Sequence, residues 1–134
     1  MSSDELARVA RLGALFDRPS PGVVRGIGDD AAVLAGDGAP LVWTVDAQVE
    51  GTHFRLGWLS WEDVGWRSFM AAASDLAAMG AAPVAALSSL VLAPSVDDAA
   101  LDALAGGQAA ASDAVGAPVV GGNLARGTET SVTT

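Results

Sequence analysis

Two adjacent carboxylates, Asp29 and Asp30, stand between the Gly-x-Gly turn and the apolar run of "GIGDDAAVL". Like charges about 4 Å apart cost roughly 1 kcal/mol in water and about 4 kcal/mol near a protein surface. Either both are solvated or a cation sits against them. Three further polar points occupy positions where strands and helices usually carry apolar residues. Thr44 and Asp46 close the run "LVWTVD", and strand alternation puts them on one face. Asp75 lies in "AAASDLAAMG", with Ala71, Ala72 and Met79 as its helical neighbours. A carboxylate on so apolar a helix face is expected to be partly buried, and therefore to need a partner or a metal. Asn123 follows Gly121 and Gly122, whose bare backbone lets a phosphate approach.

Singly, an Asp at a strand end is a turn or cap residue. Together, these acids in a chain without lysine call for a divalent cation. Carboxylate and hydroxyl oxygens suit Mg²⁺, which keeps several waters and bridges to substrate phosphates. His53, the one histidine, sits beside Phe54 in "VEGTHF". On its own it is a turn residue; beside a metal-phosphate site it could touch a substrate anion or ring.

Composition narrows the classes. The 134 residues suffice for one domain with a core, and a hydrophobic content of 51% excludes disorder. With no cysteine, disulfides, zinc-thiolate sites and thiol nucleophiles are excluded. The net charge is −9 and every basic residue is arginine, which argues against nucleic acid as a partner and removes the P-loop lysine. The N-terminus is charged and amphipathic, unlike a signal peptide, so a cytoplasmic protein is expected. Leu76 to Val96 carries no charge, but Gly80, Pro83, Ser88, Ser89 and Pro94 interrupt it. It reads as a helix end, a turn and a buried strand, not as a membrane span.

The elements that must position these residues follow from periodicity and punctuation. Residues 3–16 read as an amphipathic helix with Leu6, Val9, Ala10, Leu12, Leu15 and Phe16 on one face. Short strands are expected at 30–34, 41–46 and 49–54. Ser60, with Asp63 three residues on, caps a helix over about 61–79 that stops at Gly80. A strand over 84–92 follows. Ser95 caps a helix to about Val115, ended by Gly116. "VVGGN" and "ETSVTT" are the last strands. Strands joined by long helices predict an α/β (α+β) domain, a mixed sheet with helices on one face. "SVTT" reads as the middle of a strand, so a fragment of a longer chain is expected. Trp43, Trp58, Trp61 and Trp66 are core or interface residues.

In order and spacing, "GIGDDAAVL", "TVDAQVEGTHF", "DVGWRSFMAAASDLAAMGAAP" and "VVGGNLARG" resemble the thiamine-monophosphate kinase family. Its superfamily of ATP-binding proteins includes aminoimidazole ribonucleotide synthetase, selenophosphate synthetase and the hydrogenase-maturation dehydratase. The resemblance implies an N-terminal domain, here residues 1–134, that dimerises through its sheet and binds ATP near the dimer interface. A C-terminal domain, absent from this sequence, normally completes the active site. The implied reaction is phosphorylation of thiamine phosphate to thiamine diphosphate by ATP. Carried over by position, Asp30, Thr44, Asp46, Asp75 and Asn123 match ligands of several Mg²⁺ ions. His53 matches a substrate contact, and Gly121, Gly122 and Asn123 match the ATP-binding segment. The sequence departs from the family at Asn123, where aspartate is usual, and at Val45 and Ala47, where hydroxyls are usual. The alternatives are another ATP-using member of the superfamily or a non-catalytic nucleotide-binding dimerisation module.

Overall fold

A computed structural model describes residues 3–28 and 31–134. The chain runs α1 (Ser3–Phe16), β1 (Val23–Arg25), β2 (Val33–Leu34), β3 (Ala47–Val49), α2 (Trp61–Ala78), β4 (Ala86–Leu92), α3 (Asp98–Val115), β5 (Val119–Arg126) and β6 (Ser131–Thr133). Four strands form a mixed sheet in the order β3-β6-β4-β5, with β4 and β5 parallel and the other neighbours antiparallel. A separate antiparallel ribbon joins β1 to β2. Ser88, Leu90 and Leu92 of β4 are buried beneath the helices with Val132 of β6, whereas Leu87 on the opposite face is exposed. The expected architecture, a mixed sheet with helices on one face, is the observed one.

Local chemistry explains the helix ends. Ser60 Oγ accepts from the Asp63 N–H, and the Asp63 carboxylate accepts from the Ser60 N–H, a reciprocal capping box. The Ser60 hydroxyl also donates to Asp63 at 2.6 Å. These bonds, the hydroxyl first and the backbone second, hold the Asp63 carboxyl below its ordinary range. Both long helices end alike. Ala81 N–H reaches back to the Leu76 carbonyl and Ala117 N–H to that of Ser112, over the left-handed glycines Gly80 and Gly116. The α3 cap is Asp97, not Ser95: its side chain accepts from the Ala100 N–H. Val96, one residue before it, shares the core with Leu101, so a hydrophobic staple sets the entry two residues later than Ser95 would.

The helices meet backbone to backbone. A Cβ at Gly65 would collide with the Leu104 carbonyl, and one at Gly107 with the Glu62 carbonyl. No side chain separates α2 from α3 at these points. The α1 helix clasps α3 with Arg8 to Asp98 at 2.8 Å and Arg11 to Asp98 and Asp102, and Arg18, just past its end, adds a pair to Asp113. Its lower half seats Leu12, Leu15 and Phe16 in the core, but Leu6 and Val9 remain exposed.

Two expected strands change. Residues 41–46 form no strand: Trp43 is 77% and Val45 73% exposed on one side, and only Asp46, at the end of the run, pairs through its backbone with Thr134. The segment expected at 49–54 is instead the end of β3 and a turn at Gly51, closed by a Glu50–Phe54 bridge. Of the strand expected at 30–34, Val33 and Leu34 form β2, while Asp29 and Asp30 lie outside the described residues. Trp61 packs against the core, whereas Trp43, Trp58 and Trp66 are exposed.

Gly107→Ala is expected to destabilise the protein by about 2–4 kcal/mol, because backbone must move. The adjacent Gly106 has open space around its Cβ position, so Gly106→Ala should stabilise by about 0.5–1 kcal/mol. Urea unfolding of the two variants checks this. Because the Asp63 pKa is lowered on folding, its contribution is present at neutral pH and fades as pH falls through the carboxylate range. The stability gap between wild type and Asp63→Asn should therefore shrink on acidification, as pH-dependent urea curves would show.

Candidate functional site

The segment 41–46 leads into the edge strand β3 and carries the first cluster. Thr44 Oγ1 donates to Asp75 Oδ2 at 2.9 Å, joining this segment to the C-terminal half of α2. Asp46 forms a two-way backbone pair with Thr134, each N–H to the other's carbonyl at 3.0 Å. Its carboxylate accepts a long hydrogen bond from Gln48 Nε2 at 3.4 Å, and Gln48 Oε1 accepts from Arg67 Nε at 3.2 Å. Thr44 and Asp46 thus both turn toward α2. Asp75 is exposed, contrary to the expected partial burial. The last turns of α2 run clear of the core, and Met79 beside it is exposed as well.

Asn123 and the paired glycines lie on β5, the opposite edge of the sheet. Register connects the two edges. Asp46 pairs with Thr134, Thr133 with Ser89, and Ser89 with Asn123; one step over, Ser88 pairs with Gly122. Asp46 and Gly122 therefore end one row across the sheet, three strand spacings or about 14 Å apart. Magnesium-oxygen bonds are near 2.1 Å, so Asp46 and Asn123 cannot ligate one ion. Among the described residues, no three acidic, histidine or cysteine side chains converge as a metal cage. Asp30, expected to complete the set, lies outside them.

Gly122 has a structural reason to be glycine: a Cβ there would collide with the Ser88 carbonyl. Gly121 is less constrained, its Cβ position lying 3.2 Å from the end of the Leu87 side chain. His53 sits exposed in the turn after β3. Its Nδ1 accepts the Val49 N–H at 3.0 Å, which leaves Nε2 as the ring's outward donor. Gln48, Arg67 and Gln108 were not singled out by sequence. Their signal is weak, a polar residue in an otherwise apolar pattern, and their partners lie far along the chain.

The chain belongs to the family described as AIR synthase related protein, N-terminal domain, which it matches over residues 28–134. Within it, the thiamine-monophosphate kinase of Halobacterium salinarum is 42% identical over 131 residues, 98% of this chain and 41% of the relative. The crystal structure of thiamine-monophosphate kinase from Stenotrophomonas maltophilia has a TM-score of 0.75 at 35% identity, covering 99% of this chain and 42% of that one. AaThiL complexed with AMPPCP and TMP has a TM-score of 0.64 at 30% identity, covering 67% of this chain and 29% of that one. HypE of E. coli, a hydrogenase maturation protein, has a TM-score of 0.77 at 18% identity over 98% of this chain and 42% of its own, a likeness of fold alone. The chain thus spans well under half the length of these relatives.

Gly122→Ala should cost about 2–4 kcal/mol in urea unfolding through its collision with β4. Gly121→Ala should stay within about 1 kcal/mol, because the Leu87 side chain can shift. Equal losses in the two variants would refute this assignment of a packing role to Gly122.

Proposed function

We propose that this chain is the ATP- and magnesium-binding N-terminal part of a thiamine-phosphate kinase, which transfers the γ-phosphoryl group of ATP to thiamine phosphate and yields thiamine diphosphate. The observation that carries this is sequence identity of 42% and 35% to thiamine-monophosphate kinases along nearly the whole chain. The likeness to HypE is equally close in shape but lacks that identity. The complex of AaThiL with AMPPCP and TMP supports an ATP analogue and TMP as the ligand classes.

The donor set fits magnesium: Thr44, Asp46 and Asp75 offer hydroxyl and carboxylate oxygens at one edge, and Asn123 offers an amide oxygen at the other. Asp30 would join them. Bound Mg²⁺ supplies charge neutralisation between phosphates and carboxylates, which is most of what phosphoryl transfer requires. The residues do the positioning. Thr44 holds the Asp75 carboxylate, Gln48, itself held by Arg67, bonds Asp46, and His53 presents Nε2–H to a substrate anion. A phosphate-oxygen acceptor needs no strong general base, and the role of Gly121 and Gly122 is close backbone approach to the nucleotide.

A second copy of the chain fits the uncovered apolar segment Leu41, Val42, Trp43 and Val45, which runs into an edge strand. The proposed assembly is a homodimer in the cytoplasm. No helix of the described residues is long and apolar enough to cross a membrane.

The test is turnover by the full-length natural protein with ATP and thiamine phosphate. Thiamine diphosphate should form only with Mg²⁺. Asp75→Asn should lower turnover by roughly 10²–10³-fold, the loss typical of removing one preorganised electrostatic group. Its melting curve should barely move, because Asp75 is exposed. Full activity in that variant would sink the assignment of Asp75. Nucleotide binding without product would move the protein to the non-catalytic alternative.

A further inference from the structure

Gln108 is a fully buried amide that the proposed chemistry leaves without a role. It lies on α3, next to the glycine where that helix meets α2. Its Oε1 accepts from Ser88 Oγ at 2.8 Å. Its Nε2 donates to Ser68 Oγ and to Thr134 Oγ1, each at 3.3 Å. The Ser68 hydroxyl donates onward to the Gly65 carbonyl at 2.9 Å. Both amide hydrogens and the carbonyl are thus used. An unbranched apolar side chain would fill the space without needing any of these partners, so the amide is there for direction rather than volume.

The three partners lie on three different elements: α2 carries Asp75, and the other two pair with the segments that carry Gly122 and Asp46. Ser88 of β4 pairs with Gly122, and its carbonyl is what Gly122 approaches. Thr134 forms the two-way backbone pair with Asp46. Ser68 is two helical turns before Asp75 on α2. Ser88 and Thr134 are the two middle members of the row that runs from Asp46 to Gly122, and Gln108 grips both from the helix side.

We propose that Gln108 is a positioning residue that holds Ser88, the partner of Gly122, Thr134, the partner of Asp46, and the Asp75 helix in one mutual register, so that groups at both ends of the row meet the same nucleotide. This rests on the kinase reading for its consequence in turnover, but the brace itself does not. A distortion of the row would act on groups that meet metal and phosphate as well as on stability.

The experiment uses the full-length natural protein with Gln108→Met, Thr134→Val and Thr134→Ser. The Met variant keeps volume and removes all three bonds; the Val variant cuts only the link to the Asp46 strand, and Ser restores it. Amide hydrogen exchange at Asp46 and Thr134 should rise about tenfold in Gln108→Met and Thr134→Val, the size expected for one lost hydrogen bond. Exchange at Leu101 and Leu104 should not change. The Mg²⁺ concentration for half-maximal ATP binding, followed by calorimetry without thiamine phosphate, should rise in the same two variants. In turnover, kcat should fall about tenfold with KM for thiamine phosphate within about twofold, the pattern of a lost transition-state interaction. Thr134→Ser should behave as wild type. Unchanged exchange at Asp46 and Thr134, or a Thr134→Ser variant as impaired as Thr134→Val, overturns the proposal. Should Gln108→Met fail to fold, the Thr134 pair decides alone. A wild-type protein that makes no thiamine diphosphate overturns the kinase reading, while exchange still decides on Gln108.

Discussion

The close approach of α2 to α3 is the constraint on which the remaining geometry depends. Helices normally pack with side chains between them, at axis separations of about 8–10 Å. Here Gly65 faces the Leu104 carbonyl and Gly107 the Glu62 carbonyl with no side chain interposed. That seam sets where α2 lies over the sheet. It brings Ser68 within reach of Gln108 and Arg67 within reach of Gln48, and it carries Asp75 to Thr44. A wider seam would leave each of those polar groups short of its partner. The two glycines weaken helix propensity by about 1 kcal/mol each, and the packing they permit offsets that loss.

Polar contacts beneath the sheet convert that packing into register. An apolar core of this size would tolerate sliding by small amounts, since burial is non-directional. Hydrogen bonds are directional, and an unpaired buried one is costly. Among the described residues no buried side-chain nitrogen or oxygen lacks a partner. Ser68, Ser88, Gln108 and Thr130 are therefore not defects in the core; each fixes the position of one element against another. Thr130 does so at the far end of the sheet, where its hydroxyl accepts the Ala93 N–H and its carbonyl the Glu50 N–H.

What could be read from sequence was what local chemistry decides. Ser60 with Asp63, Gly80 and Gly116 are self-contained signals, because the groups they satisfy lie within a turn. The cap of α3 was misplaced by two residues: "PSVDD" offers three side chains able to cap, Ser95, Asp97 and Asp98, and the core position of Val96 chooses among them. The run 41–46 alternates like a strand, but alternation reports which side chains could be buried, not whether a neighbour is there. The expected burial of Asp75 failed for a related reason, since an apolar helix face does not say how far a helix extends past its sheet. Thr44, Asp46 and Asp75 were legible as residues, and the link between Thr44 and Asp75 was not. Gly65 and Gly107 read only as weak points in helices, because their meaning lies in the partner backbone. Gln108 was invisible for the same reason: its partners are Ser68, Ser88 and Thr134, none of them within a helical turn.

The charge distribution bears on how an anion could be held at all. The chain carries seven arginines and no lysine against sixteen acids. Arg8, Arg11 and Arg18 pair with Asp98, Asp102 and Asp113 and fasten α1 to α3. Arg67 holds Gln48, and Arg55 lies over the Trp58 ring at 5.2 Å. Arg25 and Arg126 have interactions of their own. Exposed pairs of this kind contribute little each to stability, about 0–1 kcal/mol, so their effect is to distribute the positive charge over structure. A polyphosphate approaching the Asp46 and Asp75 end of the site therefore meets carboxylates first. On the proposed reading, divalent cations reverse that field locally, and the acids become the means of attraction. The same carboxylates without metal should repel the nucleotide, which makes nucleotide affinity dependent on Mg²⁺ in a way that an arginine-lined site would not be.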